Sequence, residues 1–380
     1  MKVAHYTNDF SLHQINLADE LYALLGDDFK YFEMCENVDA EKSSYLTITD
    51  RPYLVRVWKN ERYMDIAKEW AATADAALFS SNDNMVKLIC YRLERNLITF
   101  EGGERWFKRG LINIFSPRLL RSLWWYHTFY YKKPIYKLCS SAYGAGDQYK
   151  LFSFKDRCYK WGYFTKVDDI DLASRLVNTS KKVTIMWCAR YLKLKHPELV
   201  IYLAYRLKQN GYSITIDMYG YGAEFENTRT LCEKLCVDDV VNFYGKMSNK
   251  EILEAMRNHD IFLFTSDRHE GWGAVVNEAM SNACAVVSSD AVGSTAFLIQ
   301  EKKNGMIFKS GSIESLYDKV SYLIDNPGKR IDIATNAYVT MRDIWSPRQG
   351  AINFIQLSED LLNGRDSSVT EGPCSKALPI

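Results

Sequence analysis

Ile261-Phe262-Leu263-Phe264 is a wholly apolar run of four residues, closed by Asp260 before it and Thr265 after it. A run so short and so uniformly apolar suits a strand buried on both faces, as in the middle of a parallel sheet. Helical spacing follows from about Trp272, with Val275, Val276, Ala279 and Met280 sharing a face. Gly271 and Gly273 occupy the turn between the two. Strand, glycine turn and helix in that order commit this part of the chain to the α/β class, where helices cover a sheet of parallel strands.

Two carboxylates sit at set places on this element: Glu270 in the turn, and Glu278 about two turns into the expected helix. Unpaired amides at a helix start suit an anionic ligand such as a diphosphate, and the two glycines let the backbone approach it. Glu278, about 12 Å further along at 1.5 Å per residue, is too distant for the same phosphate. An ionised carboxylate only accepts hydrogen bonds, so it suits a pair of sugar hydroxyls. The bland alternative is that Glu270 complements the helix dipole and Glu278 is solvated.

A chain of 380 residues predicts two domains. A net charge of +1 gives no support for a nucleic-acid partner. The nine cysteines show no pairing pattern. Cys232 and Cys236 stand four apart without a second Cys/His pair, so free thiols in a reducing cytoplasm are the simpler reading, and no metal site is expected. The chain starts directly as a strand at Val3–Tyr6, unlike a signal peptide, and no apolar run is long enough to span a bilayer.

The first half alternates short strands and helices, with strands expected near 3–6, 31–34, 53–58, 77–79 and 97–100. His13 follows the first strand, where ligands of parallel sheets bind, and is a candidate acceptor or sugar contact. Residues 116–137 change character: Arg118, Arg121, Lys132, Lys133 and Lys137 interleave with Trp124, Trp125, Phe129, Tyr130 and Tyr131. Such a helix suits an anionic membrane surface, or else packs into a core with solvated cations. Asp169-Ile170-Asp171 has the form of a metal–diphosphate motif, but lies in a polar linker and reads as a solvated acidic turn.

The second half alternates more cleanly. Strands are expected at 183–188 and 213–218, then at 240–245, 261–264, 283–288 and 304–308. Ser248-Asn249-Lys250-Glu251 forms a capping box that opens a helix to Arg257. The expected organisation is a domain over 1–170, a second over 181–345, a helix over 346–364 returning across the domain junction, and a disordered tail over 365–380.

Arg190, Lys195, Gly220-Tyr221-Gly222, Phe243-Tyr244-Gly245, Glu270 with Glu278, Gly293 and Asn304-Gly305 stand in the order and at the spacings of a known set. Over roughly 181–325 the chain resembles the donor-binding domain of the retaining glycosyltransferases of family 4, the glycosyl transferases group 1 type. The resemblance implies the GT-B fold: two doubly wound, Rossmann-like domains with an interdomain cleft. It also implies a metal-independent enzyme with no cofactor, in which the fixed cations Arg190 and Lys195 stabilise the departing diphosphate. Glu270 would face the transferred sugar, and Glu278 would hold the ribose. Gly271, Trp272, Gly273 and Ala274 would border the phosphates, and Gly220, Tyr244 and Gly245 the nucleotide.

The glycine pair that many members carry after the first strand is replaced here by Thr7-Asn8-Asp9-Phe10-Ser11. Contacts from that loop therefore do not carry over. The expected activity is transfer of a sugar from a nucleotide-sugar donor to a glycan or lipid-linked glycan. The expected setting is surface polysaccharide, capsule or lipopolysaccharide synthesis, in the cytoplasm or on the inner face of the plasma membrane. A sugar-nucleotide epimerase of the same architecture, or a non-catalytic nucleotide-sugar-binding subunit, are the alternatives.

Overall fold

The computed structural model describes residues 1–36, 50–80, 85–176 and 182–380, without the side chains of Leu12 and His13. The chain forms two compact units, Met1–Thr165 with Ile344–Ile380, and Lys166–Asp343.

The first unit is built on seven parallel strands: β1 Val3–Thr7, β2 Phe29–Glu33, β3 Leu54–Arg56, β4 Ala76–Phe79, β5 Ile98–Gly103, β6 Ile135–Cys139 and β7 Cys158–Lys160. Their order is β3-β2-β1-β4-β5-β6-β7. All five residues of β1 are buried, because helices cover both faces of the sheet. The strand order reverses between β1 and β4, and the carboxyl ends at such a switch point are where open α/β sheets take their ligands.

The second unit has six parallel strands: β8 Val183–Cys188, β9 Ile214–Tyr219, β10 Val241–Tyr244, β11 Ile261–Phe264, β12 Ala285–Ser289 and β13 Met306–Phe308. The order β10-β9-β8-β11-β12-β13 puts the switch point between β8 and β11. Every residue of β11 is buried, as its uninterrupted apolar sequence requires. The expected capping box is present: the Ser248 hydroxyl accepts from the Glu251 amide, and the Glu251 carboxylate accepts from the Ser248 amide.

Two expectations are corrected. Residues 116–137 are not one helix. The α-helix Pro117–Trp125 passes into a π-turn at Tyr126–Tyr130, and Pro134, which has no amide to donate, precedes β6. Lys137 lies within β6, where its ammonium donates to Glu101 Oε1 over 2.7 Å.

Residues 365–380 are not a loose tail. Cys374 is fully buried, its amide donates to Lys160 O over 2.7 Å, and Lys376 bridges to Tyr159 beside β7. Small and polar composition misled here, because main-chain pairing with an edge strand needs no apolar side chains.

The helix Pro347–Leu362 belongs to the first unit, to which the chain returns at Ile344 after the second unit ends at Asp343. It places Phe354 against Phe100 and Trp161, and Gly350 lies so close to Phe164 that an added Cβ would meet Cε1 at 2.4 Å. No helix among the described residues is long and apolar enough to cross a membrane.

Candidate active site

In the second unit, the predicted residues gather at the carboxyl ends of β8 and β11. After β8 the chain runs through Arg190, which is exposed, into a 3-10 turn at Lys193–Lys195. That turn is clamped from the β11 side. The Thr265 hydroxyl donates to Lys195 O over 2.6 Å and is itself held by Trp187 Nε1 at 2.9 Å. The Asp267 amide donates to Leu194 O at 2.9 Å. The clamp brings the Lys195 ammonium into an ion pair with Glu270, with side-chain exposures of only 13% and 16%. A pair so enclosed interacts more strongly than a surface pair, and neither charge is cheaply left alone.

His196 adds to the same support. It takes a left-handed backbone conformation at the start of the helix Pro197–Gln209, with Nδ1 2.7 Å from Glu198 and Nε2 3.4 Å from Asp267. Hydrogen bonding to Glu198 raises its pKa above the usual imidazole value against the opposing effect of burial, with Asp267 adding to the rise.

The helix after the glycine turn begins at Val275, three residues later than the spacing suggests. Gly273 has φ +81°, outside the helical region, and its missing Cβ leaves room for Phe264, whose Cε1 would lie 2.5 Å away. Trp272 is buried before the helix, with Nε1 donating to Asn277 Oδ1 at 2.8 Å. Glu278 therefore stands in the first turn, not two turns along. Its Oε1 accepts from Asn249 Nδ2 at 3.0 Å. Burial pushes its pKa up to about 6, although part of the side chain stays open to solvent. The Cys188 thiol, at the end of β8, is pushed up to about 12 by burial and then by the Glu278 charge, with Lys195 opposing. Glu278 and Lys195 thus act on one point at the switch of the sheet.

The remaining donor-side candidates differ in what the structure asks of them. Gly220 has φ +133°, and a Cβ there would sit 1.9 Å from Ala189 O. Gly222 has φ +147°, with Tyr191 O 2.5 Å from an added Cβ. Both glycines are required by the crossing of this turn over residues 189–191, whatever else they touch. Gly245 has open space at its Cβ position. Tyr244 is exposed and stacks on Tyr219, with ring centroids 4.7 Å apart and planes 10° apart, which leaves an aromatic face for a planar ligand. Asp171 accepts from the amides of Ala173 and Ser174 at the start of a short helix, and Asp168 pairs with Arg257 at 2.7 Å. Among the described residues, no group of three or more His, Cys, Asp or Glu is placed to hold a metal ion.

The first unit holds a cavity of about 730 Å³ that shares no residue with the predicted donor site. It lies at the carboxyl ends of β1, β4, β5 and β6, the switch point of that sheet. His5 is buried on its wall, with Nε2 2.8 Å from Ser80 Oγ and Nδ1 without a partner. Burial pushes His5 down to about 3, so it is neutral at physiological pH. The Lys137–Glu101 pair and Trp161 also face the space. His13 falls in the first turn of the helix Leu12–Leu25, and its side chain lies outside the described residues. Sequence reasoning did not find this cavity, because its residues come from five separate stretches with no shared motif. The strand-end positions of Ser80 and Gly102-Gly103-Glu104 were the available signal.

Residues 169–340 match the family described as glycosyl transferases group 1. An uncharacterized glycosyltransferase of Haemophilus influenzae is 25% identical over 128 residues, which is 34% of this chain and 35% of that protein. The N,N'-diacetylbacillosaminyl-diphospho-undecaprenol alpha-1,3-N-acetylgalactosaminyltransferase of Campylobacter jejuni is 27% identical over 161 residues, 42% of this chain and 40% of that one. The chain thus spans less than half the length of these curated relatives. Anabaena HepE, solved in complex with UDP, is 14% identical with a TM-score of 0.69, covering 96% of this chain and all of that one. That likeness shows the fold: both parallel-sheet units are the Rossmann-like domains of GT-B proteins.

Proposed function

From a glycosyl transferases group 1 domain over residues 169–340, we propose that the protein transfers a sugar from a nucleotide-sugar donor to a glycan or lipid-linked glycan acceptor. The observation that carries this reading is the convergence of Lys195, Glu270 and Glu278 at the β8–β11 switch point inside the matched segment. Lys195, with Arg190 on the preceding loop, neutralises the leaving diphosphate, so no metal is required. Glu278 accepts from the ribose hydroxyls, the Tyr244 face lies under the base, and Glu270 orients Lys195 and meets the transferred sugar. Retention of configuration and membership of family 4 follow the resemblance of the same residues. The setting is the inner face of the plasma membrane, in assembly of a surface polysaccharide; the lipid-linked acceptor named for the Campylobacter relative supports that setting.

A thermal-shift panel of nucleoside diphosphates tests the donor site. One of them, with UDP first because HepE binds it, is expected to raise the unfolding midpoint. Stabilisation of about 2.7 kcal/mol corresponds to ligand at a hundred times its Kd. No response to any nucleotide would overturn the reading.

A further inference from the structure

His196 is the single residue between the Lys193–Lys195 turn and the helix Pro197–Gln209, with φ 48° and ψ 54°. Histidine adopts that left-handed conformation more readily than most side chains do. Its ring lies between two carboxylates, with Nδ1 2.7 Å from Glu198 and Nε2 3.4 Å from Asp267. An ionised carboxylate only accepts, so both contacts are hydrogen bonds only when both ring nitrogens carry protons. A neutral imidazole would turn one lone pair towards an acid. The setting therefore selects the imidazolium.

Asp267 does more than balance that charge. Its amide donates to Leu194 O at 2.9 Å, and its carbonyl accepts from the Glu270 amide at 3.1 Å. Its Oδ1 accepts from the His269 amide at 2.8 Å and lies 2.9 Å from His269 Nδ1. One residue thus joins the turn that ends at Lys195 to the turn that carries Glu270. The Nε2 contact of His196 adds a charged side-chain link to the same residue.

We propose that His196 is a positioning residue for the nucleotide site: its imidazolium holds Asp267, which keeps Lys195 and Glu270 set to receive a diphosphate, and loss of its proton loosens that arrangement. The inference rests on the transferase reading. Glu198, on the helix of His196, and Asp267, after β11, are the charged groups facing the ring; Lys195 precedes it in the chain, and His269 and Glu270 bond to Asp267. The hydrogen bond to Glu198 keeps the ring protonated above its ordinary value of 6.5. A raised folded-state value means that the contribution is complete below about pH 6.5 and is lost as pH rises through the folded value. Nucleotide affinity should accordingly decline on the alkaline side. The terminal phosphate of a nucleoside diphosphate cannot cause that decline, because it gains negative charge as pH rises past about 6.

Calorimetric titration of the full chain with UDP, GDP, ADP and CDP between pH 6.5 and 9 tests this. Affinity for the nucleotide that binds is expected to fall about fivefold across the range. His196→Asn keeps a side chain suited to the left-handed backbone but carries no charge. It should bind about fivefold more weakly at pH 6.5 and show no further fall. Glu198→Gln removes the largest cause of the raised value, so the fall should move to lower pH. His269→Gln should leave the fall in place. A purely structural role would weaken binding in the variants without moving the pH of the fall. Glu198→Gln, at a side chain 42% exposed, keeps the test decisive should His196→Asn fold poorly.

The proposal is overturned by a fall that persists in His196→Asn, stays in place in Glu198→Gln or disappears in His269→Gln. A protein that binds a nucleotide equally well at every pH loses only this inference. One that binds none of the four at any pH loses the transferase reading with it.

Discussion

Glu278→Gln is expected to make the protein more stable at neutral pH and nearly inactive. The native carboxyl has a pKa of about 6 against an ordinary 4.5, raised by burial. Between those values the folded state binds more protons than the unfolded state, so stability falls as pH rises through the window. The full shift corresponds to about 2 kcal/mol, and the partly open side chain reduces this to about 1 kcal/mol. Glutamine removes that cost while still accepting from Asn249. A midpoint rise of roughly 2–4 °C at pH 7.5 is expected, shrinking towards zero below about pH 4.5.

Activity should move the other way. Hydrogen bonds to an ionised acceptor contribute about 1.5–3 kcal/mol, so loss of the charge should lower kcat/KM by roughly a hundredfold. In the unaltered protein, donor affinity should also fall as pH drops below about 6 and Glu278 takes up its proton. Nucleotide-sugar turnover at the unaltered rate by Glu278→Gln would remove the residue from the site. An unchanged midpoint would show that its burial costs nothing.

Lys195→Ala carries the second large effect. The cation is lost from an enclosed pair, so Glu270 keeps a charge with its partner gone. Breaking a fully buried pair costs 3–5 kcal/mol, and the residual exposure here makes about 2–3 kcal/mol the expected loss. Adding Glu270→Ala should restore most of that stability. If Lys195 also neutralises the departing diphosphate, turnover should fall by about a hundredfold to a thousandfold in the single variant and stay low in the double. The comparison separates the two roles, because recovery of activity together with stability would make Lys195 a structural residue only.

The second unit was legible because each strand there is a compact apolar run closed by a turn residue, and its site residues stand directly after strands. Ile261–Phe264 is the clearest case. The start of the following helix was misjudged because Val275, Val276, Ala279 and Met280 mark a face without marking where it begins. That boundary is decided by the positive φ of Gly273 and its contact with Phe264, which no periodicity reports. The clamp of Trp187, Thr265 and Asp267 was invisible for a similar reason, since its members lie up to 80 positions apart. Residues 116–137 misled in a different way. The apolar positions nearly encircle the stretch, which reads as core, yet Leu120, Trp124 and Phe129 are about half exposed. Composition describes what a segment prefers to touch and does not say whether this chain supplies it.

The order in which the chain is made gives the return of residues 344–380 a further meaning. The second unit is one uninterrupted length and can close as soon as it has left the ribosome. The first unit cannot, because Phe354, which covers Phe100 and Trp161, is translated 190 residues after Phe164. At 5–20 residues per second the nascent first sheet waits roughly 10–40 s with that apolar surface uncovered. The waiting chain is a natural client for a holdase chaperone. Chains ending at Asp343 and released from the ribosome should therefore be cleaved by protease in the first sheet while the second unit resists, and equal resistance of both would refute this order of closure.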